Sequence, residues 1–381
     1  MRYNGYMEEP KIALAHEFLA QFGGAEKTFE AMTEIFTNAP IYTAKYDPKN
    51  MPDSITKREV IYPKGFLNKI TEKLFFLFRM PTIFEGFDFR NFDIVISSGT
   101  TWNKGILTKP DQMHITYIHT PPRFLYKYSQ ETTKWEKPFF KPIYSYLVNF
   151  LRLWDYAAAQ RPDYIVTNSN VTKRRIRKFY GREATVIYPP VELGFGSYDN
   201  MKKAEAPYFL AIGRLSKYKN FDLLIEAFDK VKYKLVIVGS GIEENNLKKV
   251  AGKNIVFKGR VSDEEKHQLI EGCLGLINPV VDEDFGIVPV EAMAHGKPVL
   301  AHRSGGHLET IIENETGLFF DELSPNSVSE KLMEFENMIK NKKFDRQKIR
   351  EHSQKFSKER FKKEFEDFVR EKWEEHKKQN A

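Results

Sequence analysis

Apolar positions along this chain follow two alternating patterns: short β-branched or apolar runs, and longer stretches in which apolar residues return every three or four positions. KIALAHEF (11–18) reads as a strand, and GGAEKTFEAMTEIF after it as a helix with Ala25, Phe29, Met32 and Phe36 on one face. APIYTAKY, FDIVISSG, HITYIHTP, DYIVTNS and ATVIYPPV read as further strands. SNVTKRRIRKFYG is a helix with an Asn or Ser cap and a Gly stop. The pattern then restarts. LGFGSYDNMKKAEAP (193–207) is Gly-rich, then polar, and ends in proline, as a linker does. Strand YFLAIGRL, helix NFDLLIEAFDKV, strand YKLVIVGSG and a helix from Glu243 follow it. After these come strand NIVFKGRV, helix SDEEKHQLIEGC, strand LGLINPVV, helix FGIVPVEAMAHG and strand PVLAHR. Strand–helix alternation of this kind predicts an α/β fold, a parallel sheet covered by helices on both faces. Two such sets predict two Rossmann-like domains with a cleft between them, and ligands outside the carboxyl ends of the strands. The charged tail ends in FSKERFKKEFEDFVREKWEEHKK, whose Phe361, Phe365, Phe368 and Trp373 form an aromatic face to pack on the protein.

Composition narrows the class. With 381 residues, 41% of them hydrophobic, the chain can fill two ordinary cores. One cysteine, Cys273, excludes a disulfide framework and a Cys-based zinc site, and fits a reducing compartment. MRYNGYMEEPKIALAH has no apolar signal core, so a cytoplasmic protein is expected. PIYSYLVNFLRLWDY, from Pro142, is too short to span a bilayer and carries Arg152 and Asp155. Residues 101–190 hold 15 Lys and Arg against 6 Asp and Glu, a local field suited to an anionic partner.

Two stretches carry the chemistry. In GRLSKYKN (213–220), Arg214 leaves the carboxyl end of a buried strand, and Lys217 and Lys219 precede a helix that Asn220 is expected to cap. Cations there oppose the helix dipole unless an anion binds both; ordinary surface lysines on a strand–turn–helix are the alternative. In EDFGIVPVE, Gly286 permits close approach of the backbone and Pro289 fits a first helical turn. The N–H groups of Phe285, Gly286 and Ile287 form a second expected anion site. Glu283, a poor phosphate ligand, should meet hydroxyls, and Glu291 can accept from a ribose diol. Sugar, phosphates and ribose in a row describe a nucleotide sugar.

The E-x7-E spacing of Glu283 and Glu291, with FGIVPVEAMAHGKPV, resembles the retaining glycosyltransferases of family 4, which have the two-domain GT-B fold. GRLSKYKNFDLLIEAF is similar to that family's donor-phosphate motif, and GGAE (23–26) to its N-terminal glycine loop. YIHTPPRFLY (117–126) together with EDFGIVPVEAMA is most similar to bacterial O-antigen and exopolysaccharide mannosyltransferases that use GDP-mannose. The resemblance covers nearly the whole chain and implies domains at 1–192 and 208–356. It also implies that the final helix, 357–381, crosses back to the N-terminal domain. Arg214 and Lys219 would neutralise the leaving diphosphate, Glu283 would hold sugar hydroxyls, and Glu291 would bind the ribose. The backbone of Phe285, Gly286 and Ile287 would meet sugar and phosphate oxygens. Gly23 and Gly24 would approach the diphosphate, His119 would sit by the donor sugar, and Arg260 and Val261 would lie near the base. No cofactor is implied beyond the nucleotide-sugar substrate, and the acceptor would be a lipid-linked or growing glycan.

Rival readings follow from the same residues. Asp282-Glu283-Asp284 contains a D-x-D, which holds manganese in metal-dependent transferases; cations at Arg214 and Lys219 would make a metal redundant, so none is expected. His119 can be a satisfied structural histidine, and His295, His302 and His307 are read as structural. A UDP-sugar such as UDP-glucose would fit the same fold. The helix with Lys173, Arg174, Arg175, Arg177 and Lys178 is a solvated face or, with the aromatics of FLYKYSQETTKWEKPFFKPIY (124–144), a contact with acidic lipid. Nucleic acid is not expected, since no stacking or recognition motif accompanies it. A non-catalytic binding protein on this fold should have lost Arg214, Lys219, Glu283 or Glu291, and all four are present.

Overall fold

The computed structural model describes residues 10–63, 79–128, 141–193 and 207–380. The chain divides into two compact units, the first within Met1–Tyr126, Thr133–Pro190 and Phe361–Ala381, the second within Lys127–Thr132 and Val191–Arg360. Of the segment read as a linker, 194–206 lies outside the described residues, as does 129–140 of the aromatic stretch 124–144.

The first unit holds a seven-stranded sheet in the order β3-β2-β1-β4-β5-β6-β7. Its strands are β1 Ile12–His16, β2 Ile41–Thr43, β3 Val60–Ile61, β4 Ile94–Gly99, β5 Met113–Ile118, β6 Tyr164–Thr167 and β7 Thr185–Val186. Every pairing is parallel. Parallel sheets are buried on both faces, and the alternation along each strand serves both. Leu14, Ile96, Ile115 and Tyr117 point to one core with Phe29 and Met32 of the helix Gly24–Ile35. Ala13, Ala15 and Val95 point to the other with Trp102, Val148 and Leu151. The expected aromatic tail forms the helix Lys358–Asn380, and from Phe361 on it belongs to this unit. Phe361, Phe365 and Phe368 close the first core, with the Phe361 and Phe365 rings edge-on to Tyr117 and Lys362 3.3 Å from Glu34.

The second unit repeats the plan with six parallel strands in the order β10-β9-β8-β11-β12-β13. These are β8 Tyr208–Ile212, β9 Lys234–Val238, β10 Ile255–Gly259, β11 Leu276–Asn278, β12 Val299–His302 and β13 Gly317–Phe320. Both sheets therefore grow outward from their first strand in one direction and then the other. Each has a switch point where the order reverses, at β1/β4 and at β8/β11. Loops leaving the carboxyl ends diverge there and leave room for a ligand.

Several elements are not predicted by the sequence pattern, β3, β13 and the helix Lys141–Ala158 among them. β3 is two residues at a sheet edge, and β13 lies in TGLFF, too short for a period to show. The helix Lys141–Ala158 was noted only as too short to span a bilayer. Val148, Leu151 and Asp155 are its buried side, while Tyr146, Phe150, Leu153 and Tyr156 are exposed. No helix among the described residues is long and apolar enough to cross a membrane.

Candidate functional site

Most of the expected site residues lie around the two switch points, while Arg260 and Val261 follow β10 at the edge of the second sheet. At β8/β11, Gly213 and Arg214 follow the end of β8, and Lys217–Lys219 forms a single 3-10 turn before the helix Phe221–Phe228. Lys219 Nζ lies 2.7 Å from Glu283 Oε2, so the loop after β8 meets the loop after β11 through an ion pair. Burial opposes the charge of Lys219, but Glu283, with Tyr218 and Asp284, outweighs it and raises the ammonium above its ordinary pKa. Lys217 pairs instead with Asp222 in the first turn of the helix. Asn220 stands at the expected cap position but provides no side-chain cap, because it sits in the left-handed region at φ 54°. Its amide donates to the Pro279 carbonyl at 3.0 Å, a second tie between the same two loops. Arg214 is exposed, two residues past the carboxyl end of β8.

Past Glu283 the chain turns sharply. Gly286 has φ 95°, a conformation that strains any residue with a Cβ, and it opens the helix Ile287–Ala294. Pro289 falls in the first turn, where no partner for an N–H exists. Phe285 anchors the turn, buried edge-on to Phe356 at 5.4 Å. Gly305 and Gly306, read as a turn, pack directly on it: a Cβ at Gly305 would lie 2.4 Å from the Glu283 carbonyl oxygen. The Gly306 N–H donates to that carbonyl at 2.7 Å.

Glu291 points from the next turn of the helix into a seam with the helix Asp263–Gly272. Its Oε1 lies 2.8 Å from Lys266 Nζ, and Lys266 also meets Asp263 at 3.0 Å. Burial opposes the Lys266 charge, yet Glu291 raises its pKa above the ordinary value. The seam continues through His267 and His295, 3.2 Å apart, to Glu271, 3.0 Å from His295. Arg260, after β10, donates from Nε to Ser240 Oγ at 2.9 Å and is exposed; Val261 follows it, half-buried. Among the described residues no group of three or more His, Cys, Asp or Glu is arranged to hold a metal. Asp282, of the D-x-D, donates its N–H to Ser304 Oγ at 2.9 Å.

At β1/β4 the first unit has its own polar cluster. Glu17, buried just past β1, accepts from the N–H groups of Thr101 and Trp102 in the loop after β4, the latter at 2.5 Å. Gly23 caps the helix Gly24–Ile35, and the Glu26 side chain reaches back to the Gly23 N–H at 2.9 Å. Burial pushes the Glu26 carboxyl up, but His16 at 3.8 Å and the Gly23 N–H more than compensate. His119, one residue past β5, has Nε2 3.0 Å from Ser98 Oγ and its ring edge-on to His16 at 6.5 Å. Burial first, then His16, lower its pKa to about 3, so the imidazole is neutral. The first unit thus holds Gly23, Gly24 and His119 around its switch point; the second joins Lys219 to Glu283 beside Phe285, Gly286 and Ile287, with Arg214 exposed past β8 and Glu291 in the seam with Lys266.

Sequence reasoning missed Lys266 and Glu17, and read His307 as structural. Lys266 carries no motif; its only signal is a lone cation in the acidic first turns of SDEEKH. His307 follows the Gly305–Gly306 turn, fully buried, with Nδ1 3.1 Å from the His302 carbonyl and Nε2 without a hydrogen-bond partner. Cys273 is a core residue, as read: burial pushes its thiol up to about 12.

The chain matches the family Glycosyltransferase Family 4 over residues 32–195 and the family Glycosyl transferases group 1 over residues 198–356. It is 30% identical over 204 residues to an uncharacterized glycosyltransferase of Methanocaldococcus jannaschii, covering 52% of this chain and 57% of that one. Human alpha-1,3/1,6-mannosyltransferase ALG2 is 28% identical over 253 residues, 58% of each chain. An uncharacterized 41.2 kDa protein in the cps region of Klebsiella pneumoniae is 27% identical over 226 residues, 56% of this chain and 59% of that one. The chain spans a little over half the length of these relatives. Among solved structures, sucrose-phosphate synthase from Thermosynechococcus elongatus superposes with a TM-score of 0.74 at 19% identity, over 95% of this chain and 99% of that one. HepE of Anabaena, solved with UDP and glucose, gives 0.68 at 16% identity, over 95% and 99%. These likenesses establish the GT-B fold, two parallel Rossmann-like sheets with the last helix returned to the first. With the two family matches spanning nearly all of residues 32–356, the chain belongs to the family 4, group 1 glycosyltransferases.

Proposed function

We propose that this protein is a retaining glycosyltransferase that moves a hexose, mannose from GDP-mannose, to a hydroxyl of a lipid-linked or growing glycan. The observation that carries the reading is the Lys219–Glu283 pair at the second switch point, 2.7 Å long and beside the Gly286 turn. In this reading Arg214 and Lys219 neutralise the departing diphosphate, and Glu283 holds hydroxyls of the sugar. Backbone N–H groups at Phe285, Gly286 and Ile287 bind sugar and phosphate oxygens, and Glu291 accepts from the ribose. Arg260 and Val261 lie by the base, Gly23 and Gly24 by the diphosphate, and neutral His119 by the donor sugar. The acceptor hydroxyl attacks from the face the diphosphate leaves, so the anomeric configuration is kept without a covalent intermediate. Rate acceleration rests on positioning and on fixed positive charge where the leaving group gains negative charge.

The mannosyltransferase name carried by the human relative supports mannose as the sugar. The UDP and glucose bound to HepE support the second reading, a UDP-sugar donor. The test is thermal stability with GDP, UDP, ADP and their sugars, with and without EDTA. Stabilisation by GDP and GDP-mannose that EDTA leaves unchanged is expected. Stabilisation by UDP and UDP-glucose alone would replace the donor, and no response to any nucleotide would overturn the transferase reading.

The reading includes peripheral contact with an acidic membrane. Its support is the exposed side of the helix Lys141–Ala158, where Tyr146, Phe150, Leu153 and Tyr156 stand beside Arg152, within residues 101–190, which hold 15 Lys and Arg against 6 Asp and Glu. Aromatic rings with polar tips suit the headgroup level of a bilayer. Phe150→Ser with Leu153→Ser should abolish sedimentation with phosphatidylglycerol vesicles; sedimentation unchanged by the pair would remove the membrane from the reading.

A further inference from the structure

We propose that Lys266 is a positioning residue for the nucleotide's ribose. It clamps one oxygen of Glu291 and thereby aims the other at the 2′- and 3′-hydroxyls of a bound nucleoside diphosphate. The inference rests on the reading of Glu291 as the ribose ligand. Lys266 Nζ takes Oε1 at 2.8 Å, and among the described residues no donor reaches Oε2. The two side chains are only 12% and 8% exposed, so neither is a mobile surface charge. Asp263, at 3.0 Å, holds the ammonium from the other side.

A diol is recognised when both its hydroxyls find fixed acceptors, and a glutamate has three torsions to fix. Helix packing fixes the first torsions, and a charge-assisted bond to one oxygen fixes the last while leaving the second oxygen open. The same lysine supplies the counter-charge a poorly hydrated carboxylate requires. The frame around it is stiff. The helices Asp263–Gly272 and Ile287–Ala294 are tied again one turn on, where His267 and Glu271 both meet His295.

The experiment is calorimetric titration of GDP and UDP, and of their 2′-deoxy counterparts, into wild type, Lys266→Met and Lys266→Arg. Wild type should prefer the ribonucleotide by about tenfold, the worth of a hydrogen bond to a charged group. Lys266→Met should weaken the ribonucleotide by about tenfold and leave the deoxynucleotide within about twofold, erasing the preference. Lys266→Arg, which keeps the charge, should restore most of it. Equal weakening of ribo- and deoxynucleotides would overturn the proposal in favour of a general structural role, and an intact preference in Lys266→Met would overturn it outright. Absence of any preference in wild type would instead refute the ribose reading of Glu291, and the proposal with it.

Discussion

Lys219 and Glu283 hold each other across the switch point of the second sheet, ammonium to carboxylate at 2.7 Å, from loops that follow β8 and β11. The pair is largely sheltered, with side chains 16% and 17% exposed. Each therefore depends on the other for its charge balance. An arriving diphosphate competes with Glu283 for the ammonium, and a sugar hydroxyl competes with Lys219 for the carboxylate. Replacing Lys219 with Met should lower kcat by about 10²–10³, the usual cost of removing one fixed charge-stabilising donor. Lys219→Arg should recover part of it. Steady-state turnover of the donor identified by thermal stabilisation checks this; a loss under threefold would remove Lys219 from the reaction.

Glu283→Gln makes a prediction of opposite sign for binding and turnover. The amide leaves the Lys219 ammonium without its anionic partner, so a diphosphate meets a freer cation. The variant should bind GDP or UDP several-fold more tightly than wild type while turning over at least about a hundredfold more slowly. Calorimetry beside kinetics separates the two. Weaker nucleotide binding in Glu283→Gln would show that the carboxylate does not compete with the diphosphate.

Four buried histidines fix the acid limb of stability. Burial lowers His114 and His119 to about 3, and His267 and His307 to about 4, helped by Arg161 at His114, His16 at His119 and Lys266 at His267. In the unfolded chain each titrates near its ordinary value of about 6.5. Between about 6.5 and 4 the unfolded state therefore binds more protons, so stability is full above that window and falls as pH drops through it. Glu271, held near 2 by His295 and by Lys297 and Arg346 despite burial, adds loss in the same direction at lower pH. Urea midpoints measured from pH 7 to 4 should fall with a slope equivalent to roughly four protons. His114→Gln should remove about one; a flat profile would mean these rings are charged in the fold.

Much of this was legible in sequence because the determinants are local. Strand runs such as ITYI and LVIV and the stop at Gly181, φ 64°, each act within a few residues. Ser169 caps its helix by accepting from the Thr172 N–H, three positions away. Glu283 and Glu291 stood out because their eight-residue spacing sits on one turn-and-helix. What could not be read were pairings set by the sheet. Lys266 meets Glu291 only because the helices before and after β11, Asp263–Gly272 and Ile287–Ala294, pack side by side, and nothing in SDEEKH encodes that contact. Asn220 does not cap its helix because its backbone is left-handed, φ 54°, a conformation the loop between β8 and the helix imposes; its amide donates instead to the Pro279 carbonyl, 59 residues away. Glu17 looked like the polar end of a strand, and its two N–H donors lie 84 and 85 residues on.

A buried ion pair in the first unit gives the sharpest stability test. Lys104 Nζ lies 2.5 Å from Asp155 Oδ1, with the two side chains 1% and 0% exposed. Tyr126 and Tyr180 donate their hydroxyls to Asp155 Oδ2 at 3.0 and 2.8 Å, so the carboxylate is satisfied on both oxygens. Through Tyr126 this network ties the segment that follows His119 to the helix Lys141–Ala158. Removing one partner strands the other charge in the core. Asp155→Asn, which keeps the shape, should therefore cost about 3–5 kcal/mol. Lys104→Met with Asp155→Leu strands no charge but leaves two tyrosine hydroxyls without their acceptor, at about 1 kcal/mol each. The double variant should thus be more stable than Asp155→Asn alone. Tryptophan fluorescence in urea reads this unit directly, since Trp102 and Trp154 pack 5.7 Å apart in its core and residues 191–360 contain no tryptophan. Additive losses across Lys104→Met, Asp155→Leu and the double would mean that Lys104 and Asp155 do not depend on each other.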